Sequence, residues 1–144
     1  MSEYHVQEGA FTPPSGWIDA TVNTLKYEGP EGPVILTIAR SRRTKSLELA
    51  ADALLVDLRR RLPRYALEDK RAIVLDGAPA IETRVHFHYD DGPAIRRAVD
   101  TLVGDRHVIL SCIGPESQAT AVDDLFDKVV STLRRRHPAG GATA

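Results

Sequence analysis

The sequence predicts an α+β domain built on a mostly antiparallel sheet, with two amphipathic helices on one face. Three observations carry this. Strand-like segments follow one another through short turns rich in Gly, Pro and Asp, the mark of hairpins, and no βαβαβ alternation appears. Residues 34–38 and 107–113 are apolar at nearly every position, so each offers hydrocarbon to both faces of a sheet. A half-solvated antiparallel strand would alternate instead. Two apolar stripes at three- and four-residue spacing supply the helices.

Taken in order, residues 3–8 alternate, Tyr4 and Val6 against His5 and Gln7, and read as a short strand. Pro13, Pro14 and Gly16 exclude regular structure from residues 11–17, where Trp17, the sole tryptophan, is expected to pin a loop onto the core. Residues 21–40 read as a hairpin. Its turn, residues 28–33, carries Gly29, Pro30, Gly32 and Pro33. Arg42, Arg43 and Lys45 form a solvated connector. Ser46 is a good N-cap, Glu48 suits the positive helix end, and Leu47, Ala50, Ala51, Leu54, Leu55, Leu58 and Leu62 form one stripe. Arg59, Arg60 and Arg61 suit the negative end, and Pro63 stops the helix.

Residues 65–75 read as a strand, and Asp76-Gly77 as a hairpin turn. Over residues 80–89, Ile81, Thr83, Val85, Phe87 and Tyr89 share one face, while Glu82, Arg84, His86 and His88 share the other. Strands at 95–103 and 107–113 follow. A helix over 116–135 then carries Val122, Leu125, Phe126, Val129, Val130 and Leu133 as its stripe. The order is β-β-β-α-β-β-β-β-α, a single domain over residues 1–136, with a flexible Pro/Gly/Ala-rich tail at 137–144.

The chain has 144 residues, 42% hydrophobic and 27% charged, with a net charge of −1, which suits a globular domain and gives no basic excess for nucleic acid. No apolar run approaches the ~18 residues of a membrane span. The first residues carry no basic, apolar leader and there is one cysteine, Cys112, so the expectation is a cytoplasmic protein without disulfides.

Catalytic signatures are missing: there is no Gly-rich phosphate loop, HExxH or GxSxG, and a non-enzymatic role without cofactor is expected. His86 and His88 leave one strand face together, and a metal would need a third ligand such as His107. A polar sheet face or partner surface is the commoner meaning of such a pair. Cys112 reads as a small buried hydrophobe. Asn23, an amide inside a strand, is either a sheet-edge hydrogen-bonding residue or a polar contact to a partner's backbone.

Two helices can hide one sheet face, yet two strands are apolar on both. An exposed apolar patch beyond about 300–600 Å² tends to mark a binding surface. The loop around Phe11 and Trp17, a second copy, or a client could each cover it.

Several short motifs together resemble a known family. They are Tyr4-x-x-x-Glu8, Pro14-x-x-Trp17-x-Asp19, Val22-Asn23-x-Leu25-Lys26, Ile38-Ala39-Arg40, Leu62-Pro63-Arg64-Tyr65-x-Leu67 and Asp76-Gly77-x-Pro79-Ala80. In their order and spacing the chain resembles the DcrB-related proteins, and within them the Eag chaperones of type VI secretion effectors. The resemblance implies a PsbP-like fold, a curved antiparallel sheet with helices on one side. It further implies a homodimer whose free sheet face holds the transmembrane helices near an effector's N-terminus. Val22, Asn23 and Thr24 carry over to that groove. Arg97-Ala98 stands where the family often has Arg-Gln, which places Ala98 at a groove position. Leu36 or Ile38, and Ile109 or Leu110, are expected to complete the wall. The alternative is a scaffold module whose free face is only a dimer interface.

Overall fold

The computed structural model describes residues 4–6, 9–12, 15, 22–89 and 92–134. Its elements are β1 (Tyr4–Val6), β2 (Gly9–Phe11), β3 (Val22–Gly29), β4 (Gly32–Arg42), α1 (Leu47–Arg61), β5 (Ala66–Leu75), β6 (Ala78–Tyr89), β7 (Gly92–Val103), β8 (Arg106–Pro115), a 3-10 turn (Glu116–Gln118) and α2 (Ala119–Thr132). β1 and β2 pair as a two-stranded ribbon where one strand was expected. The other six strands form one curved sheet in the order β3-β4-β8-β7-β6-β5, antiparallel at every pairing. The α+β class and the antiparallel sheet are as the sequence predicts. Trp17 and residues 137–144 lie outside the described residues.

Local chemistry explains the connections. Asp76 and Gly77 both hold positive φ, 47° and 82°, the two-residue hairpin geometry that their types favour. Ser46 caps α1 by accepting the Leu49 N–H at 3.3 Å. After Pro63 the chain is anchored to the sheet, because the His88 N–H donates to the Pro63 carbonyl at 2.9 Å. α1 carries the chain from β4 to the far edge of the sheet, and the meander β5-β6-β7-β8 returns to pair with β4. β4 and β8 therefore lie inside the sheet with neighbours on both sides, as β6 and β7 do.

Residues directly opposite one another in a ladder share a face. The registers thus sort the sheet. One face carries Leu36 and Ile38 of β4, Leu110 and Cys112 of β8, and Ile95, Arg97 and Val99 of β7. α2 lies on it, with Val122 and Phe126 fully buried against that set. Gly114 permits the approach: a Cβ there would meet a Val122 methyl at 2.9 Å.

The other face carries Ile35, Thr37 and Ala39 of β4, Ile109, Ser111 and Ile113 of β8, Ala94, Arg96, Ala98 and Asp100 of β7, and Thr83, Val85 and Phe87 of β6. α1 lies here, with Leu55 and Leu58 packed on Val85, Phe87 and Ala94. Lys70 of β5 pairs with Asp52 of α1 across it. The helices therefore sit on opposite faces, which corrects the expectation that both cover one. The reason is visible in β6. Its Val85–Phe87 row is apolar and needs cover of its own, whereas the Arg84–His86–His88 row on the α2 side is polar. Among the described residues no helix is long and apolar enough to cross a membrane.

Candidate functional site

α1 shields the β6–β7 half of its face. Among the described residues, the β3–β4–β8 half is left as an open strip. Val22 and Thr24 of β3 stand beside Thr37 and Ala39, and Ile35, Ile109 and Ile113 extend the row. Val22 is 55% exposed, and Ile35, Ala39, Ile109 and Ile113 are half-buried. At one end the strip deepens into a cleft of about 450 Å³. Pro33, Ile35, Tyr89, Ala94, Ile113 and Pro115 give it mostly apolar walls. That volume falls within the usual range for a ligand-sized site.

Polar groups interrupt the strip at three points. Thr37 Oγ1 and Ser111 Oγ share a hydrogen bond of 2.7 Å. His107 Nε2 and Asp100 Oδ2 lie 2.7 Å apart, and Asp100 is 1% exposed. Arg96 is buried between Val85 and Ile113, and its Nη1 has no hydrogen-bond partner among the described residues. Burial lowers the Arg96 pKa, against the opposing pull of Asp100. Burial likewise raises the Tyr65 hydroxyl, against the neighbouring Arg59 and Arg96.

The residues expected to line a groove divide between the faces. Val22, Thr24, Ala98 and Ile109 share the strip's face, although Ala98 is fully buried between Thr83 and Ser111. Asn23, Leu36 and Ile38 are on the α2 face, with Leu36 and Ile38 in the α2 core. Leu110 is there too. Leu36 and Ile38 have the same strand parity, so choosing between them could not have found the wall. Ile35 and Thr37 are the β4 residues that face the strip. The missed signal is the turn: Gly29 pairs with Gly32, a two-residue loop that places Val22 opposite Ala39. A six-residue turn leaves that parity open. Arg96 escaped notice because nothing in its local sequence marks it as orphaned.

The three histidines do not converge. His86 and His88 lie on the α2 face, where His86 Nε2 meets Glu68 at 2.5 Å, and His107 lies on the other. Cys112 is buried beneath α2, and burial pushes its thiol up to about 11, far from a reactive thiolate. The α2 face also holds a charge cluster that sequence reasoning did not single out. Arg97 meets Glu82 at 2.7 Å, Asp127 at 2.9 Å and Asp123 at 3.2 Å. Arg84 also meets Asp123 and Arg71 meets Glu82, so three cations balance the three carboxylates, and the Asp123 and Asp127 contacts fasten α2 to the sheet.

A family model described as DcrB matches residues 8–132 of the chain. Among solved structures, the protein of unknown function PA94 from Pseudomonas aeruginosa aligns with a TM-score of 0.80 at 18% identity, covering 96% of this chain and 99% of that one. Cyanobacterial PsbP (CyanoP) from Synechocystis sp. PCC 6803 aligns with a TM-score of 0.52 at 14% identity, covering 91% and 89%. At such identities these likenesses speak for the fold. No curated protein matches the chain in sequence.

Proposed function

The chain belongs to the DcrB family, whose model spans most of its length, and from that premise we propose that it is a non-enzymatic cytoplasmic chaperone or adaptor for a type VI secretion effector. Its task is to keep an apolar, transmembrane segment of that effector soluble. One observation carries the reading: an apolar strip, Val22, Ile35, Ala39 and Ile109, that belongs to neither helix's core among the described residues, with Ile113 at the edge of the α1 cluster. An apolar helix in water is penalised by about 25 cal/mol per Å² of exposed apolar surface, and the strip removes such area from water. The Thr37–Ser111 pair adds small hydroxyls of the kind that sit between packed membrane helices.

The test is co-expression with an effector gene lying beside this one, followed by pull-down on a tagged chain. Capture of a protein bearing transmembrane helices, lost in Val22→Asp, supports the reading. An effector that stays equally soluble without this chain overturns it.

A second reading has its own support. β3 is a sheet edge, and Val22, Leu25 and Tyr27 leave it exposed on both faces. Such an edge invites pairing with another copy, which fits a scaffold module that dimerises and has no client. A dimer stable on dilution, with no residual binding of an apolar dye, favours it.

A further inference from the structure

The two edges of the six-stranded sheet are built differently. β5 carries a bulge between Leu67 and Asp69, and its charged middle is held in ion pairs: Glu68 with Arg84, Lys70 with Asp52, Arg71 with Glu82. Bulges and charges of this kind keep a foreign strand off an edge. β3 pairs with β4 without a break from Val22 to Gly29, and no described strand pairs with its outer side. It leaves Leu25 and Tyr27 exposed on one face, and its only charges, Lys26 and Glu28, meet each other at 2.8 Å.

Ladder parity identifies the backbone groups that β3 offers. The Arg43 N–H donates to the Asp105 carbonyl at 2.7 Å, continuing the β4–β8 register, so odd-numbered β4 residues bond toward β8 and even-numbered ones toward β3. Pro33, opposite Glu28, has no N–H to give it, which agrees. The even-numbered β4 residues stand opposite Asn23, Leu25 and Tyr27. The N–H and C=O groups of Val22, Thr24, Lys26 and Glu28 therefore point outward from the sheet.

We propose that this edge takes an extended segment of the client as a further strand, laid antiparallel on β3. This rests on the client-binding reading above and adds a second contact to it, because Val22 and Thr24 belong both to the edge and to the strip's face. The guest's residues opposite Val22, Thr24, Lys26 and Glu28 make the hydrogen bonds and extend that face. Its intervening residues meet Leu25 and Tyr27 in the non-hydrogen-bonded pairs, where side chains come closest. The edge thus suits apolar residues at the intervening positions, an acidic one opposite Lys26 and a basic one opposite Glu28. A second copy of β3 matches this poorly. The register that sets Lys26 against Glu28 of the copy leaves Leu25 facing Gly29, and the one that sets Leu25 against Tyr27 opposes Lys26 to Lys26.

The test uses the full chain and a labelled, end-blocked peptide, Lys-Ile-Glu-Val-Thr-Val-Thr, in three forms. One is unmodified. One is N-methylated at its third and fifth residues, whose amides face β3 in this register. One is N-methylated at its second and fourth, whose amides face away. The unaltered chain is expected to bind the first and last alike, within about two-fold, and the other about ten-fold more weakly or worse. Thr24→Pro removes an outward N–H and no bond to β4, so it should melt close to the unaltered chain and bind the unmodified peptide about ten-fold more weakly. If that variant unfolds, the three peptides decide alone. Equal binding of all three forms, or equal loss in both methylated forms, overturns this inference. So does light scattering that shows a dimer split by Thr24→Pro, which assigns the edge to a second copy. A chain that binds no form of the peptide yet captures an effector's transmembrane segment overturns this inference and leaves the client reading standing. A chain that binds neither overturns both.

Discussion

The guanidinium carbon of Arg97 sits 4.4 Å from the centre of the Phe126 ring. A cation over an aromatic face is attracted by the ring quadrupole, and three carboxylates, Glu82, Asp123 and Asp127, surround the same group. Burial lowers the Arg97 pKa, yet its contacts with Glu82 and Asp127 outweigh this and hold it above the usual range. The residue before it, Arg96, points to the opposite face and has an unsatisfied donor. Two consecutive arginines thus differ in kind: one fastens α2 through ion pairs, the other is buried on the α1 side with Asp100 as its main opposing charge.

Arg97→Ala should therefore be costly. Glu82 is as buried as Arg97, and removing the cation leaves it only the exposed Arg71, 3.1 Å away. Deleting one partner of a buried pair costs roughly 3–5 kcal/mol, and the remaining Arg71 contact sets the expected loss toward the lower end. Urea unfolding followed by circular dichroism should show a midpoint well below that of the unaltered chain. A shift under about 1 kcal/mol, the usual worth of a surface pair, would show that the cluster is solvated and does not fasten α2.

Neighbouring β4 residues should respond in opposite ways. Leu36 is 3% exposed in the α2 core, whereas Ile35 faces the strip and the cleft. Leu36→Ala should cost about 2–5 kcal/mol in unfolding experiments, the range for a large core truncation. Ile35→Asp should leave the fold standing and weaken capture of an apolar peptide. The reverse pattern would mean that the strand's faces are exchanged.

That contrast shows how far the sequence could be read. The hairpins, both helices and the alternation of β6 followed from periodicity and turn chemistry, because these are local. Asp76-Gly77 announced its turn through residue type alone. Which face of β4 meets α2 depended on the loop length between β3 and β4 and on the path of α1 to the far edge, and both are tertiary facts. Val22, Thr24 and Ile109 were legible as members of one face, while Asn23, Leu36 and Ile38 were grouped with them for want of a register. Arg96 was illegible, since an unpaired donor exists only once its neighbours are placed.

Cys112 gives a pH prediction. Its folded pKa, about 11, lies above the ordinary value near 9, because burial disfavours the thiolate. A group with a raised folded pKa stabilises the fold fully below the unfolded value, and that contribution is lost as pH climbs through the folded one. Between pH 9 and pH 11 the unaltered chain should lose stability more steeply than Cys112→Ala, measured as urea midpoints at each pH. Parallel curves would show that the thiol ionises as freely in the folded chain as in the unfolded one. The same burial predicts slow labelling of the native thiol by a thiol reagent and rapid labelling in urea.

Two glycines test how α2 and its leading turn meet the sheet. A Cβ on Gly114 would lie 2.9 Å from a Val122 methyl and 3.1 Å from a Val34 methyl. Both valines are fully buried, so neither can yield without moving α2 or β4. Gly114→Ala should cost about 1–3 kcal/mol, the range for overpacking. A Cβ on Gly29 would collide with the amide of Gln118, the far end of a flexible side chain. That amide donates to the Gly32 carbonyl, so displacing it loses one hydrogen bond, about 1 kcal/mol. Gly114→Ala is therefore expected to be the more damaging, read as the difference between the two urea midpoints. If Gly29→Ala proves worse, the Gln118 tie to the β3–β4 turn holds the fold more tightly than the packing of Val122 on the sheet.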